Sequence, residues 1–332
     1  MKNYYFQMLR GIAIIAVIMI HCTNPLLKDN SNYILQIVYR QFINFAVAMF
    51  VFLSGYFTKK DDVLTNPKSF IKRRFIRLIP PYLFWSAIGI IMSQTYSFPS
   101  IIKRLIFGTS FVQLYYIIVL LQLTIITPIL LKTIDKKLIR IIIFAISPIT
   151  LIAQYISVFT RDATINRFGT LFTTWLIFYY FGLVVRNLDI SLDTFTSKLR
   201  LFLVAYVVMI SVSIFESISI YNHFNVLDFA ASQIKLSTFV VSLLVIAIAL
   251  AFSSIVKVTE KNILVIIGNY SYGLYLAHYA VMLVINKIGF LYFITNQLLY
   301  CVVTSFIVLS LTLLFCILCR KILSNKSNII GL

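Results

Sequence analysis

Charge is scarce in this sequence of 332 residues, and acidic charge is scarcest: charged residues make up 12%, with 29 Lys and Arg against 10 Asp and Glu. A soluble domain carries about twice that charged fraction. Hydrophobic residues reach 61%, more apolar surface than a soluble core of this size can enclose. A cytosolic enzyme, a secreted disulfide scaffold and a disordered regulator are all excluded. Cysteine is also sparse: Cys22, Cys301, Cys316 and Cys319 each lie within or beside an apolar run. Cys316-Ile-Leu-Cys319 has C-x-x-C spacing but no second pair and no nearby His, so it reads as helix packing and no metal site is expected. There is no glycine-rich phosphate loop, no G-x-S-x-G elbow, no H-E-x-x-H and no internal repeat.

What the sequence does have is long apolar runs. Ten can be read off, at about 8–27, 36–57, 76–94, 111–131, 139–158, 169–186, 200–220, 236–256, 264–285 and 295–319. Their length of about 20 residues is that of a helix spanning a bilayer. The first is not a cleaved leader, because His21-Cys22-Thr23 runs into Asn24-Pro25 without a small-residue cleavage pattern. With the N-terminus inside, strict alternation puts 21 of the 29 basic residues on the inner side. That bias predicts an all-α polytopic membrane protein with about ten transmembrane helices and both termini cytoplasmic. The loops are short, so 1–332 reads as a single membrane-embedded domain. The net charge of +19 then reflects topology and contact with anionic lipids, and no nucleic-acid partner is expected.

Ionisable residues at membrane depth are costly and therefore informative. Arg10 and His21 are 11 residues apart, which returns a helix to within about 20° of the same face, roughly 16 Å further along. Arg74 and Arg77, at i and i+3, share a helix face, and arginine forks suit phosphate. Ser271, Tyr275 and His278 follow i, i+4, i+7 and line one face. Arg40 and Glu216 fall near the outer ends of their spans, and Glu216 is the one carboxylate inside a run. His21, Arg40, Glu216 and His278 thus share the outer half, as a polar pocket with a base, an orienting acid and donors.

These segments resemble the motifs of acyltransferase family 3, whose members include surface-polysaccharide O-acyltransferases and intercellular-adhesin-type proteins. Arg10-x10-His21 matches that family's first-helix motif. Phe50-Val-Phe-Leu-Ser54-Gly55 resembles its F-x-x-S-G segment, and Arg74-Phe-Ile-Arg77-Leu-Ile-Pro80 its R-x-x-R-x-x-P segment. Leu114-Tyr115-Tyr116-Ile117 is similar to its aromatic W-F-L stretch, with Tyr where Trp is common. Gly268-Asn-Tyr-Ser271-Tyr272-Gly-Leu-Tyr275-Leu-Ala-His278 is similar to its late S-Y-x-x-Y-L-x-H segment. The ordered match covers most of the chain.

The resemblance implies a membrane-bound O-acyltransferase. It would move an acyl group, usually acetyl, from cytoplasmic acyl-CoA to a hydroxyl of a cell-surface polysaccharide or lipid-linked glycan. No permanently bound cofactor is expected, since acyl-CoA serves as donor substrate. Arg10, Arg74 and Arg77 would hold the donor's anionic head. His21, whose unperturbed pKa is ~6.5, would be the general base, with Glu216 its orienting partner. Arg40, Ser54, Ser271, Tyr275 and His278 would bind or position the acceptor. A glycan synthase or export complex and a second copy of the chain are the protein partners such a role admits. The rival reading is a transporter or flippase for a surface glycan, since ten spans with a cationic interior would pass an anionic polymer. Against it stand the absence of paired repeat halves and the shortage of carboxylates for ion coupling.

Overall fold

The computed structural model describes residues 3–23, 33–94, 96–160, 168–289, 291 and 294–332, and among these there is no β-strand. Seven helical segments are long and apolar enough to cross a membrane. The helices are α1 (Tyr4–Thr23), α2 (Tyr33–Ile43), α3 (Ala46–Tyr56), α4 (Lys60–Leu64), α5 (Pro67–Met92), α6 (Phe98–Phe107), α7 (Tyr115–Lys132) and α8 (Lys137–Phe159). There follow α9 (Phe172–Asn187), α10 (Asp193–Thr196), α11 (Leu199–Phe224), α12 (Leu227–Ala230), α13 (Leu236–Phe252), α14 (Ile263–Asn269), α15 (Ser271–Ile288) and α16 (Gln297–Leu323). Each of the ten apolar runs carries one or two helices; positions 24–27 of the first run, with Asn24-Pro25, lie outside the described residues. Three runs form shorter helices than the spacing predicts: α9 has 16 residues, α13 has 17 and α15 has 18.

Two runs are broken. The second divides at Asn44-Phe45 into α2 and α3, and the ninth divides at Tyr270 into α14 and α15. Non-helical backbone inside an apolar bundle needs polar partners or protein cover. The first break has both: Asn44 Nδ2 donates to the carbonyls of Ala231 and Ser232 at 3.1 and 3.2 Å. Its Oδ1 accepts from Arg40 Nε at 3.3 Å.

Contacts at the two ends order the passes of the chain. At the end where α1 begins, Tyr4 meets Glu260, Lys60 pairs with Asp135 at 2.6 Å, and Asn187 Nδ2 donates to the Thr58 carbonyl. At the other end, Gln36 bonds Gln297, Gln233 bonds Tyr115, and Arg104 bonds Ser93. Tyr4 and Arg320 lie at the same end, and seven segments among the described residues, against the ten expected, have the length and apolarity of a span.

α1 is the central helix. It packs against α14, α3, α16 and α15, and Phe6, Ala13, Ile14 and Ile18 on it are at most 1% exposed. Two glycine pairs set the closest approaches. A Cβ on Gly11 would strike the Leu264 carbonyl, and one on Gly268 would strike the Gln7 carbonyl. Gly55 and Gly182 are related in the same way between α3 and α9. Small residues let helices approach where lipid supplies no hydrophobic drive. The first pair matters for the site, because it fixes α1 against α14, which leads through Tyr270 into α15. α8, α11 and α16 lie at the periphery, with Ile149, Phe215 and Phe306 among their exposed apolar side chains.

Candidate active site

The α1–α15 contact brings His21 and His278 together. Their ring centroids are 5.2 Å apart, and His21 meets Tyr279 edge-on at 5.5 Å. Both are enclosed, His21 at 8% and His278 at 0% exposure. His278 Nδ1 lies 2.9 Å from the carbonyl of Leu274. A carbonyl only accepts, so Nδ1 carries the proton and Nε2 of the neutral ring keeps its lone pair. Among the described residues that Nε2 and Nδ1 of His21 are buried without a hydrogen-bond partner.

Arg40 stands beside this pair. Its guanidinium donates to the Ile20 carbonyl at 3.3 Å and to Thr23 Oγ1 at 3.5 Å, one residue before and two after His21. Arg40 lies one turn before the Asn44 break, and its Nε donates to Asn44 Oδ1. Tyr275 completes the layer. Its ring is 6.3 Å from His278 and 5.4 Å from Tyr116, and its hydroxyl donates to the Gln113 carbonyl. That bond holds the 3-10 turn Val112–Leu114 before α7 against α15, and Phe111 beside it packs on Tyr279 at 5.6 Å.

At the other end, Arg10 lies over the Phe57 ring at 4.8 Å and reaches Gln7 Oε1 at 3.4 Å. Arg74 Nη2 donates to Thr58 Oγ1 at 3.2 Å. Phe57 and Thr58 are consecutive, so Arg10 and Arg74 meet at the end of α3, with Arg77 one turn along α5 from Arg74.

Three expected residues sit elsewhere. Glu216 does not reach His21: its carboxylate oxygens accept from Tyr155 of α8 and Ser237 of α13, so it ties the outer ends of α8, α11 and α13. Ser54 lies at the arginine end, where its carbonyl accepts from Thr58 Oγ1 at 2.8 Å. Ser271 opens α15 at that same end, beside Tyr270 and Tyr272. Neither serine joins the histidine layer. The i, i+4, i+7 face is real, but it runs the depth of the bundle, so its first member is remote from its last.

Lys235 is the residue that sequence reasoning missed. It is fully buried, with Nζ donating to Gln41 Oε1 at 3.3 Å and to Ser217 Oγ. A lysine at a span boundary ordinarily snorkels to water, so nothing in its position distinguished it. Among the described residues no cluster of three His, Cys, Asp or Glu is arranged to hold a metal, and Cys22, Cys301 and Cys316 are free and buried.

No curated protein and no solved structure matches the chain. A family model does, described as an acyltransferase domain, over residues 3–321. That span contains both arginine and histidine clusters, and the chain accordingly belongs to acyltransferase family 3.

Proposed function

We propose that the protein is a membrane O-acyltransferase that takes an acyl group, acetyl in the first instance, from cytoplasmic acyl-CoA. The acceptor is a hydroxyl of a cell-surface polysaccharide or lipid-linked glycan on the far side of a bacterial cytoplasmic membrane. In this reading the arginine end faces the cytoplasm and the histidine layer lies in the outer half. The observation that carries it is the enclosed His21–His278 pair, with an uncommitted nitrogen on each ring. Tyr275 and Tyr116 extend from the pair toward the end that holds Arg10, Arg74 and Arg77. A polyanionic head and a thin thioester arm match that division of charge.

In the transfer, the acceptor oxygen attacks the thioester carbonyl carbon. His21 takes the hydroxyl proton, the C–O bond forms and the C–S bond breaks. The proton then passes to the departing CoA thiolate. We assign Arg40 as the donor to the oxyanion, a role supported by the bonds that hold its guanidinium beside His21. The Leu274 carbonyl favours a second assignment, in which Nε2 of His278 is the base and His21 positions the acceptor. The test is mass spectrometry of the surface glycan from cells with and without the gene. O-acyl groups present only with the gene are expected; identical glycans would contradict the reading.

A further inference from the structure

Two cavities of nearly equal size open at the arginine end, about 490 and 480 Å³. The first lies between the end of α3 and the start of α5, and is lined by Lys59, Asp61, Asp62, Phe70, Arg73 and Arg74. The second lies between α5, α15 and α16, with Arg73, Arg77, Tyr270, Tyr272, Arg320 and Asn328 in its wall. The R-x-x-R pair is therefore divided, Arg74 lining one cavity and Arg77 the other.

The chemistry of the two differs. Asp61 and Asp62 place carboxylates in the first, and like charges repel a phosphate there. No Asp or Glu side chain lines the second, where three arginines share the wall with the last residue, Leu332. Arg74 is already engaged, bonded to Thr58 and lying 5.5 Å over the Phe70 ring. Arg77 and Arg320 face the second cavity with no hydrogen bond or ion pair among the described residues. Arg320 lies over the Tyr270 ring at 5.6 Å. Stacking of this kind fixes the guanidinium plane and leaves its N–H edge for an anion. The hydroxyl of Tyr272, in the same wall, is buried without a partner among the described residues. One turn further along α15 comes Tyr275, and then His278.

We infer that the second cavity is the phosphate site for the donor, held between Arg77 and Arg320, and that Arg320 is a phosphate-binding residue on a par with Arg77. The donor arm then enters along α15, past Tyr272 and Tyr275, toward His278. This inference rests on acyl-CoA being the donor, and it adds a binding residue from the last helix, outside every motif read from the sequence.

The experiment is isothermal titration of the full-length protein with three probes: CoA, inorganic pyrophosphate and pantetheine. Arg320 is exposed, and its one described contact is the Tyr270 ring, so Arg320→Ala leaves the fold intact; Arg320→Lys keeps the charge and controls for it. Losing a charge-assisted phosphate contact lowers CoA affinity about ten- to hundredfold. Arg320→Ala and Arg77→Ala are expected to lose that much, Arg74→Ala less, and pantetheine binding is expected to be the same in all variants. Unchanged CoA affinity in Arg320→Ala, with a large loss in Arg74→Ala, would move the head group to the first cavity and overturn the inference while leaving the donor reading standing. Failure of the wild type to bind either CoA or pyrophosphate would also overturn it. Pyrophosphate binding that depends on Arg320, in a protein that does not turn over acetyl-CoA, would uphold the phosphate site and defeat the donor reading instead.

Discussion

At the end of the bundle where α1 begins, Arg77 and Arg320 stand exposed around an open cavity. At the other end, Arg40 and Lys235 are buried, at 7% and 0% exposure, and each is bonded to neighbouring side chains. The same residue types have thus been given opposite settings. An exposed, uncommitted guanidinium is suited to capturing a mobile polyanion and releasing it. A buried one, fixed by Ile20, Thr23 and Asn44, is suited to stabilising charge that develops at one place. The difference teaches that basic residues in this chain cannot be assigned from sequence position alone; what each touches decides its work.

The contrast depends on α1 and α15 staying in register, so the largest effect is expected from breaking that contact. In Gly268→Val a branched side chain meets the Gln7 backbone, which has little room to yield. Overpacking costs about 1–3 kcal/mol and occasionally more, and this site belongs at the upper end. Thermal unfolding is expected to show a strongly destabilised protein with neither donor binding nor transfer, and a wild-type melting temperature would show that the two helices are not locked there.

A smaller effect sharpens the open end. Arg77→Ala is expected to weaken acyl-CoA binding by about 1.5–3 kcal/mol, the scale of a hydrogen bond to a charged group. Lysine recovers little of it, because the planar fork is lost. Equilibrium binding on the folded variant checks this, and an unchanged affinity would make the residue a topology signal alone. The smallest effect concerns Glu216. Since Tyr155 and Ser237 occupy its carboxylate, Glu216→Gln is expected to cost about 1–3 kcal/mol of stability and to leave the transfer rate per folded molecule close to wild type. A collapse of the rate without loss of stability would return Glu216 to the reaction.

Much of the fold was legible because lipid leaves a plain signature. The ten apolar runs, the Arg10-to-His21 face and the Ser271-to-His278 face all follow from helical repeat. The pairing of His21 with His278 was readable only as a shared depth; Gly11 and Gly268, which make it a contact, looked like ordinary residues of apolar helices. Depth also misled. Glu216 is at the right level, but helix rotation points it toward α8 and α13. Ser54 belongs to a motif whose glycine serves helix packing, and the serine itself stays at the arginine end. Lys235 and Arg320 were illegible because boundary cations ordinarily meet water or headgroups, and only the tertiary arrangement shows one buried and the other turned into a cavity.

The central claim is that donor capture and acyl transfer are separate tasks held at separate depths. The most direct measurement compares His21→Ala and His278→Ala with wild type in two readouts, acyl-CoA affinity of the purified protein and O-acylation of the surface glycan by mass spectrometry. A general base contributes about 10²–10⁴-fold to rate. The account predicts near-normal donor affinity in both variants and loss of glycan acylation on that scale in His21→Ala, with a milder loss in His278→Ala; the reverse ranking would assign the base to His278. Full acylation by both folded variants, or a donor affinity that falls as far as it does in Arg77→Ala, would contradict it.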